Sequence, residues 1–93
     1  MLGRLMDLIR ARVRSGQYVM CLHGQEEMYD DDLTVFDVEH TLITGRIVAR
    51  QRDLATQDWK YLVLGEDLGG GEMMVVTRFG STGKVVIITV YSL

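Results

Sequence analysis

The stretch Glu72–Tyr91, EMMVVTRFGSTGKVVIITVY, decides the fold, because two apolar, β-rich segments flank a turn bounded by Gly80 and Gly83. A strand with one solvated face alternates apolar and polar residues, but residues 73–77 and 85–91 are apolar at both alternating positions. We therefore expect two central strands, 72–79 and 84–91. Each is covered on both sides, or is covered on one side and takes part in an oligomer contact on the other.

Two more strands are predicted upstream, at residues 46–53 and 58–65. The glycines at 69–71 supply the turn that leads into the strand at 72–79. The short, regular spacing of these four segments is typical of an antiparallel meander.

Helical patterns come first in the chain. Apolar residues recur at helical spacing from Leu2 to Val13, which predicts a helix to about Ser15 that Gly16 ends in the left-handed conformation. Thr34 and Asp37 resemble a capping box, which predicts a second helix ending at Gly45.

The segment between these helices is ambiguous. Residues 18–22 are apolar and predict a buried strand or an extended link, closed by His23 and Gly24 and followed by one or two helical turns at 25–29. The predicted fold is α+β, with N-terminal helices packed on a mostly antiparallel four-stranded meander sheet, or a five-stranded one if 18–22 joins it.

Length and composition limit the class of protein. Ninety-three residues, 47% of them hydrophobic, suit a single domain over 1–93. Cys21 is the only cysteine, so no disulfide can form within the chain, and we expect a cytoplasmic protein without a metal or other cofactor. No apolar run approaches the roughly 20 residues of a membrane span, so no membrane partner is expected.

The net charge of −3 hides a strong segregation. Residues 16–45 carry seven acidic side chains and no Lys or Arg, whereas the rest of the chain carries a net +4. With a pI near 5.2, the chain is a poor nucleic-acid binder unless its acidic segment lies away from the binding face.

His23 is the first candidate for chemistry. If the segment after it is helical, His23 and Glu27 share a face, and the carboxylate would orient the imidazole for general acid–base catalysis. The alternative is that His23 only caps or packs against the turn. A metal site combining His23 and His40 with Glu26 or Glu27 has weak support, because their spacing matches no metal motif.

Cations and aromatic residues in the strands are the second group of candidates. Arg46, Arg50 and Arg52 occupy even positions of one strand, which predicts a row on one face that holds phosphates or is simply solvated. Trp59 and Tyr61 flank Lys60, a pattern that suits single-stranded RNA but is more common in a core.

The whole layout resembles a family of small bacterial domains of unknown function that are similar to the BrnT and MqsR toxins and to RelE-like ribonucleases. The resemblance is carried by four segments, IRARVRSGQYVMCLHGQEEM (9–28), LTVFDVEHTLITGRIV (33–48), YLVLGEDLGGGEMMVV (61–76) and VVIITVY (85–91). Members of that family commonly show a pattern like His-Ala-x-x-Arg-Met, where this chain has His23 and Met28 but Glu27 in place of the Arg.

The resemblance implies a RelE-like fold and a toxin of a toxin–antitoxin pair that cleaves RNA without a cofactor. His23 would be the acid or base, and Tyr91 would contact a base or share proton transfer. Arg50, Lys60 and Arg78 would hold phosphate, and the partners would be an antitoxin-like protein and RNA. Glu27 is expected to weaken phosphate binding. The alternative is therefore a non-catalytic module of the same fold that binds a protein or self-associates as a homodimer.

Overall fold

The computed structural model describes residues 2–93, so Met1, the first residue of the predicted domain, lies outside the described residues. Helices and strands follow one another in the order α1 (Leu2–Arg14), β1 (Tyr18–Met20), α2 (Leu22–Asp30), α3 (Val35–Thr44), β2 (Arg46–Arg52), β3 (Trp59–Glu66), β4 (Glu72–Phe79) and β5 (Val85–Ser92). The protein is an α+β fold with three helices and a five-stranded mixed sheet in these described residues.

Helix α1 begins and ends as its sequence predicts. Met6, Ile9 and Val13 are buried along one side of it, which is the apolar stripe of an amphipathic helix. Gly16 has φ +73°, a conformation that other residues rarely adopt, and its N–H donates to Val13 O just beyond the helix.

Helix α3 carries the predicted capping box. The Thr34 hydroxyl accepts from Asp37 N–H, and the Asp37 carboxylate accepts from Thr34 N–H at 2.8 Å. At the other end, a side chain at Gly45 would place its Cβ 2.5 Å from Thr41 O and 2.6 Å from Leu64 O. Gly45 is therefore required by the close approach of the helix end to β3.

The meander is confirmed to within one residue at each strand boundary. The strand order is β1-β5-β4-β3-β2, in which the last four strands of the chain are antiparallel neighbours and β1 lies parallel to β5 at the edge. The fifth strand is thus present, but it is shorter than the apolar run that predicts it.

The expectation of a strand at 18–22 is wrong beyond Met20, and the strand that forms at 18–20 is not buried. Val19 is 47% exposed at the sheet edge, and Cys21 is the N-cap of α2, which begins at Leu22. The predicted turns at 25–29 are part of this longer helix, and His23 lies in its first turn. The reason is a tertiary contact, because Cys21 donates its N–H to Ile87 O and its Sγ to Ile88 O.

The two faces of the sheet differ in what covers them. Residues directly opposite each other in neighbouring strands share a face. Val63, Val75 and Val90 are aligned in this way, are fully buried and belong to the core cluster with residues of all three helices. The alternate positions form a second face that no helix of the described chain covers. We call it the open face; its residues are Val19, Arg46, Ala49, Gln51, Lys60, Leu62, Leu64, Glu66, Glu72, Met74, Val76, Arg78, Val86, Thr89 and Tyr91.

No helix among residues 2–93 is long and apolar enough to cross a membrane.

Candidate functional site

Helix α2 takes the place of a neighbouring strand along the outer half of β5. Strand β1 pairs with β5 only as far as Ile87, and the next polar groups of β5 are met by residues of α2 and its termini. Val90 N–H donates to Glu27 Oε1 at 3.4 Å, and Ser92 N–H donates to Asp31 Oδ2 at 2.8 Å. Gly24 is buried because its backbone contacts this edge. The helix therefore covers an edge that would otherwise expose unpaired N–H groups.

His23 and Glu27 form the predicted pair. His23 Nε2 lies 3.1 Å from Glu27 Oε1, and the imidazole is 65% exposed while the carboxylate side chain is 28% exposed. The same Glu27 oxygen accepts from Val90 N–H, so the carboxylate is held against β5. The other ring nitrogen, Nδ1, makes no hydrogen bond within the described residues.

The helical repeat places this pair beside the open face. Successive helical residues are rotated by about 100° around the axis. Met28, which packs in the core, therefore lies about 40° to one side of Gly24, and Glu27 lies about 60° to the other side. Since Gly24 meets the edge of β5, Glu27 and His23 border the face of the sheet opposite to the core.

Three of the other predicted site residues lie on this open face. Tyr91 is half-buried on β5, directly opposite Met74, and Arg78 on β4 lies opposite Val86. Lys60 lies opposite Gln51 of β2, and the register of β3 with β4, continued by one residue, brings Lys60 beside Arg78. Tyr91 and Arg78 are thus four rungs apart, about 13 Å along the strands.

Arg50 does not join them, and the predicted row of arginines is wrong. The register shifts between Ile47 and Ala49, so Arg46 pairs with Leu64 whereas Arg50 pairs with Tyr61. Leu64 and Tyr61 lie on opposite faces of β3, because they are an odd number of residues apart. The β-bulge therefore turns Arg50 and Arg52 to the face opposite to the one that Arg46, Lys60 and Arg78 occupy.

Arg50 and Arg52, which the β-bulge places on this face, both stack on Trp59. The guanidinium carbons of Arg50 and Arg52 each lie 4.4 Å from the centroid of its ring, at a distance typical of cation–π contacts. Tyr61 is buried and makes an edge-to-face contact with Phe79, so the core interpretation of these aromatic residues holds for Tyr61. Neither ring lies on the open face with Lys60.

Two acidic side chains of the segment 16–45 that lie on α3 make structural contacts. Glu39, on α3, accepts a hydrogen bond from the Tyr18 hydroxyl of β1. Burial and, after it, this contact with the carboxylate raise the pKa of Tyr18 to about 12. Backbone hydrogen bonds from Leu68 and Thr34 hold the pKa of Asp37 below its usual value. These two carboxylates therefore have structural roles, and Glu27 is the member of the segment that takes part in the candidate site.

Two rows of charge at opposite ends of the open face could not be seen from composition. Lys60 and Arg78 form a basic row, and Glu66 and Glu72, which pair directly, form an acidic row at the other end. None of the four has an ion-pair partner within residues 2–93. The sequence shows that these charged residues occupy alternate positions of β3 and β4. Which of them are neighbours on one face can be known only from the register of β3 against β4.

A wide cavity of about 690 Å³ is lined by none of the residues that the resemblance implies for catalysis or phosphate binding. His40 and Arg46 line it together with Glu66 and Glu72, at the end of α3 and beside the turn between β3 and β4. No three His, Cys, Asp or Glu side chains of the described residues are grouped as a metal site. His23 and His40 lie on different helices, and the chemistry that His23 offers is that of its contact with Glu27.

The family described as Domain of unknown function (DUF4258) matches residues 22–92. The chain belongs to this family. The DUF4258 match begins at the first residue of α2 and ends at the last residue of β5, so it contains His23, Glu27 and the whole meander, and it leaves out α1 and β1. No curated protein and no solved structure matches the chain. The family match carries no link to the BrnT, MqsR or RelE-like toxins.

Proposed function

We propose that this DUF4258 domain is the toxin-like component of a bacterial toxin–antitoxin pair, with a RelE-like arrangement of helices on a sheet, and that it cleaves single-stranded RNA in the cytoplasm. The observation that carries the proposal is the His23–Glu27 pair, an exposed imidazole held by an anchored carboxylate at the border of an open sheet face. The same face carries Tyr91 and the basic row of Lys60 and Arg78.

The proposed chemistry needs no cofactor, because the 2′-hydroxyl of the RNA is the nucleophile. Glu27 holds the imidazole through Nε2, and the free Nδ1 of His23 takes the 2′-hydroxyl proton as that oxygen attacks the adjacent phosphorus. The bond to the 5′-oxygen breaks, leaving a 2′,3′-cyclic phosphate on one product, and a proton is returned to the 5′-oxygen from Tyr91 or water. Lys60 and Arg78 contact phosphates displaced along the strand, since Tyr91 is about 13 Å from Arg78 in the strand direction.

Arg50 has a different place in this proposal from the one its sequence position suggests. It faces away from Tyr91 and stacks on Trp59, so it does not contact the scissile phosphate. Glu27 likewise serves the imidazole and the backbone of β5, whereas a cation at this position would contact the phosphate. We expect phosphate binding weaker than that of a site with Arg at position 27.

Induced expression tests the proposal in a bacterial host. Wild-type protein should arrest growth and degrade RNA, and His23→Ala should relieve both effects at equal protein level. His40→Ala is the matched control, because His40 lies on α3 away from the pair, and it should remain toxic. Coexpression of the antitoxin-like partner encoded by the neighbouring gene should restore growth. Unimpaired growth with intact RNA on expression of the wild type would refute the proposal.

A second candidate function is a non-catalytic binding module of the same fold. The specific observation in its favour is that Glu27 has a structural role, accepting the N–H of Val90 at the edge of β5. In that case Glu27→Ala, which removes the acceptor of the Val90 N–H, would lower stability, and His23→Ala would change neither growth nor RNA. Binding of a protein partner would be the function of the open face.

A further inference from the structure

We propose that the open face is an interface between two copies of this chain, packed face to face with their strands running in opposite directions. The inference is independent of the proposed function. It rests on the arrangement of charged and apolar residues on β3 and β4, which is complementary to itself when one copy is turned by 180°.

The open face has three zones along its strands. The basic row of Lys60 and Arg78 lies at one end, and the acidic row of Glu66 and Glu72 lies six residues away, about 20 Å, at the other. Between them are two apolar rungs, Leu62 opposite Val76 and Leu64 opposite Met74. On β5, Thr89 and Tyr91 extend these same two rungs.

Each charged row is unfavourable in one copy alone. Glu66 and Glu72 are directly opposite, and like charges in that position destabilise a sheet. Lys60 and Arg78 adjoin in the same way, and no acidic side chain of the described residues forms an ion pair with either of them. Arg46 of β2 lies on the same face near the acidic row but forms no ion pair with Glu66 or Glu72, so two like-charge pairs of opposite sign are left for a partner to neutralise.

A two-fold axis across the strands brings the rows together. Rotation about an axis that passes between the two apolar rungs places the basic row of each copy over the acidic row of the other, so that Arg78 meets Glu72 and Lys60 meets Glu66. The apolar rungs then cover each other, as the inner faces of two aligned sheets do. The arrangement is closed, because both copies use the same surface.

The face is smaller than a standard interface, which predicts a weak dimer. At ordinary strand spacing it measures about 20 Å by 19 Å, or roughly 400 Å² in outline, which is below the roughly 800 Å² per partner of a standard interface. We expect a dissociation constant on the order of 10–100 μM, weakened further by salt. Such a dimer would cover Lys60 and Arg78 and would therefore exclude RNA from the same face.

A charge swap tests the interface. One variant carries Lys60→Glu with Arg78→Glu, which makes both rows acidic, and the other carries Glu66→Lys with Glu72→Lys, which makes both rows basic. Each variant alone should dimerise at least about tenfold more weakly than wild type, because four attractive contacts become repulsive. An equimolar mixture should form a heterodimer, since every contact between the two variants is again between opposite charges.

Sedimentation equilibrium from about 1 μM to about 1 mM would give the association constants. Arg4→Glu with Glu26→Lys is the matched control, because both residues are exposed on helices away from the open face, and it should dimerise like wild type. Circular dichroism and thermal unfolding must show that every variant is folded. A wild type that stays monomeric at about 1 mM overturns the inference. This holds even if the monomer binds RNA oligonucleotides on the open face. A dimer that both charge variants retain, or a mixture that forms no heterodimer, overturns it as well.

Discussion

Removing the Tyr18 hydroxyl should destabilise the protein in a way that depends on pH. This hydroxyl joins β1 to α3 through Glu39. In Tyr18→Phe, the half-buried Glu39 carboxylate loses its donor, and an unsatisfied group of this kind costs about 1–3 kcal/mol. The shift of the Tyr18 pKa from 10.0 to about 12 corresponds to at most about 2.7 kcal/mol, and screening by solvent around a partly exposed pair reduces this to about 1–2 kcal/mol.

The sign of the pH dependence follows from the raised pKa. Neutral tyrosine is favoured in the folded state, so the contribution is complete below pH 10 and is lost as the pH rises from about 10 through 12. Urea unfolding of wild type and Tyr18→Phe between pH 7 and pH 11.5 measures this contribution of the Tyr18 hydroxyl to stability. The difference in unfolding free energy should be about 1–2 kcal/mol at pH 7 and should shrink above pH 10. Glu39→Gln, which removes the charge, should recover part of the loss when combined with Tyr18→Phe, because an unpaired amide costs less to bury than an unpaired carboxylate. A Tyr18→Phe variant as stable as wild type, with the same alkaline slope, would refute the reasoning.

Three further perturbations test the local structure by urea unfolding. Gly45→Ala should lower the unfolding free energy by about 3 kcal/mol, because the added Cβ would lie 2.5 Å from Thr41 O and 2.6 Å from Leu64 O; a loss below about 0.5 kcal/mol would contradict this close approach. Thr34→Ala should cost about 1 kcal/mol through loss of the cap of α3, and an unchanged stability would argue against the capping box. The pKa of Asp37 is lowered in the folded state, so its stabilising contribution is present above pH 3.8 and is lost as the pH falls below that value. Wild type should therefore lose more stability than Asp37→Asn between pH 6 and pH 2.5. Equal losses would exclude this role of Asp37.

The meander could be predicted from sequence because its information is local. Gly69–Gly71 and Gly80–Gly83 mark the turns, and the segments between them are apolar and β-rich over the length of one strand. The same holds for α3, whose Thr34–Asp37 box and Gly45 lie at its two ends. Short turns between consecutive segments leave antiparallel neighbours as the simplest arrangement.

The parts that could not be predicted depend on distant contacts. Residues 18–22 have the same apolar character throughout, and the change from strand to helix at Cys21 follows from its hydrogen bonds to Ile87 and Ile88, more than 60 residues away. No glycine in the sequence indicates the β-bulge at Val48, yet this bulge moves Arg50 to the other face of the sheet. One shifted register therefore removed a residue from the predicted site, because the side-chain period of a strand is two.

In the candidate site, too, local contacts were predictable from sequence and long-range contacts were not. The His23–Glu27 pair was predictable because it depends only on helical spacing within α2. The anchoring of Glu27 by Val90 and the two charged rows depend on where α2 and β4 lie against their neighbours. Neither can be derived from a single segment of sequence.

Cleavage of a single-stranded RNA oligonucleotide by the purified protein, in the presence of a metal chelator, tests the proposed function most directly. We predict that wild type leaves a 2′,3′-cyclic phosphate on the 5′ product, that His40→Ala does the same, and that His23→Ala reduces the rate by about 100-fold or more, as loss of a general acid–base group does. A folded wild-type protein that leaves the RNA intact, or equal rates for wild type and His23→Ala, would contradict the account.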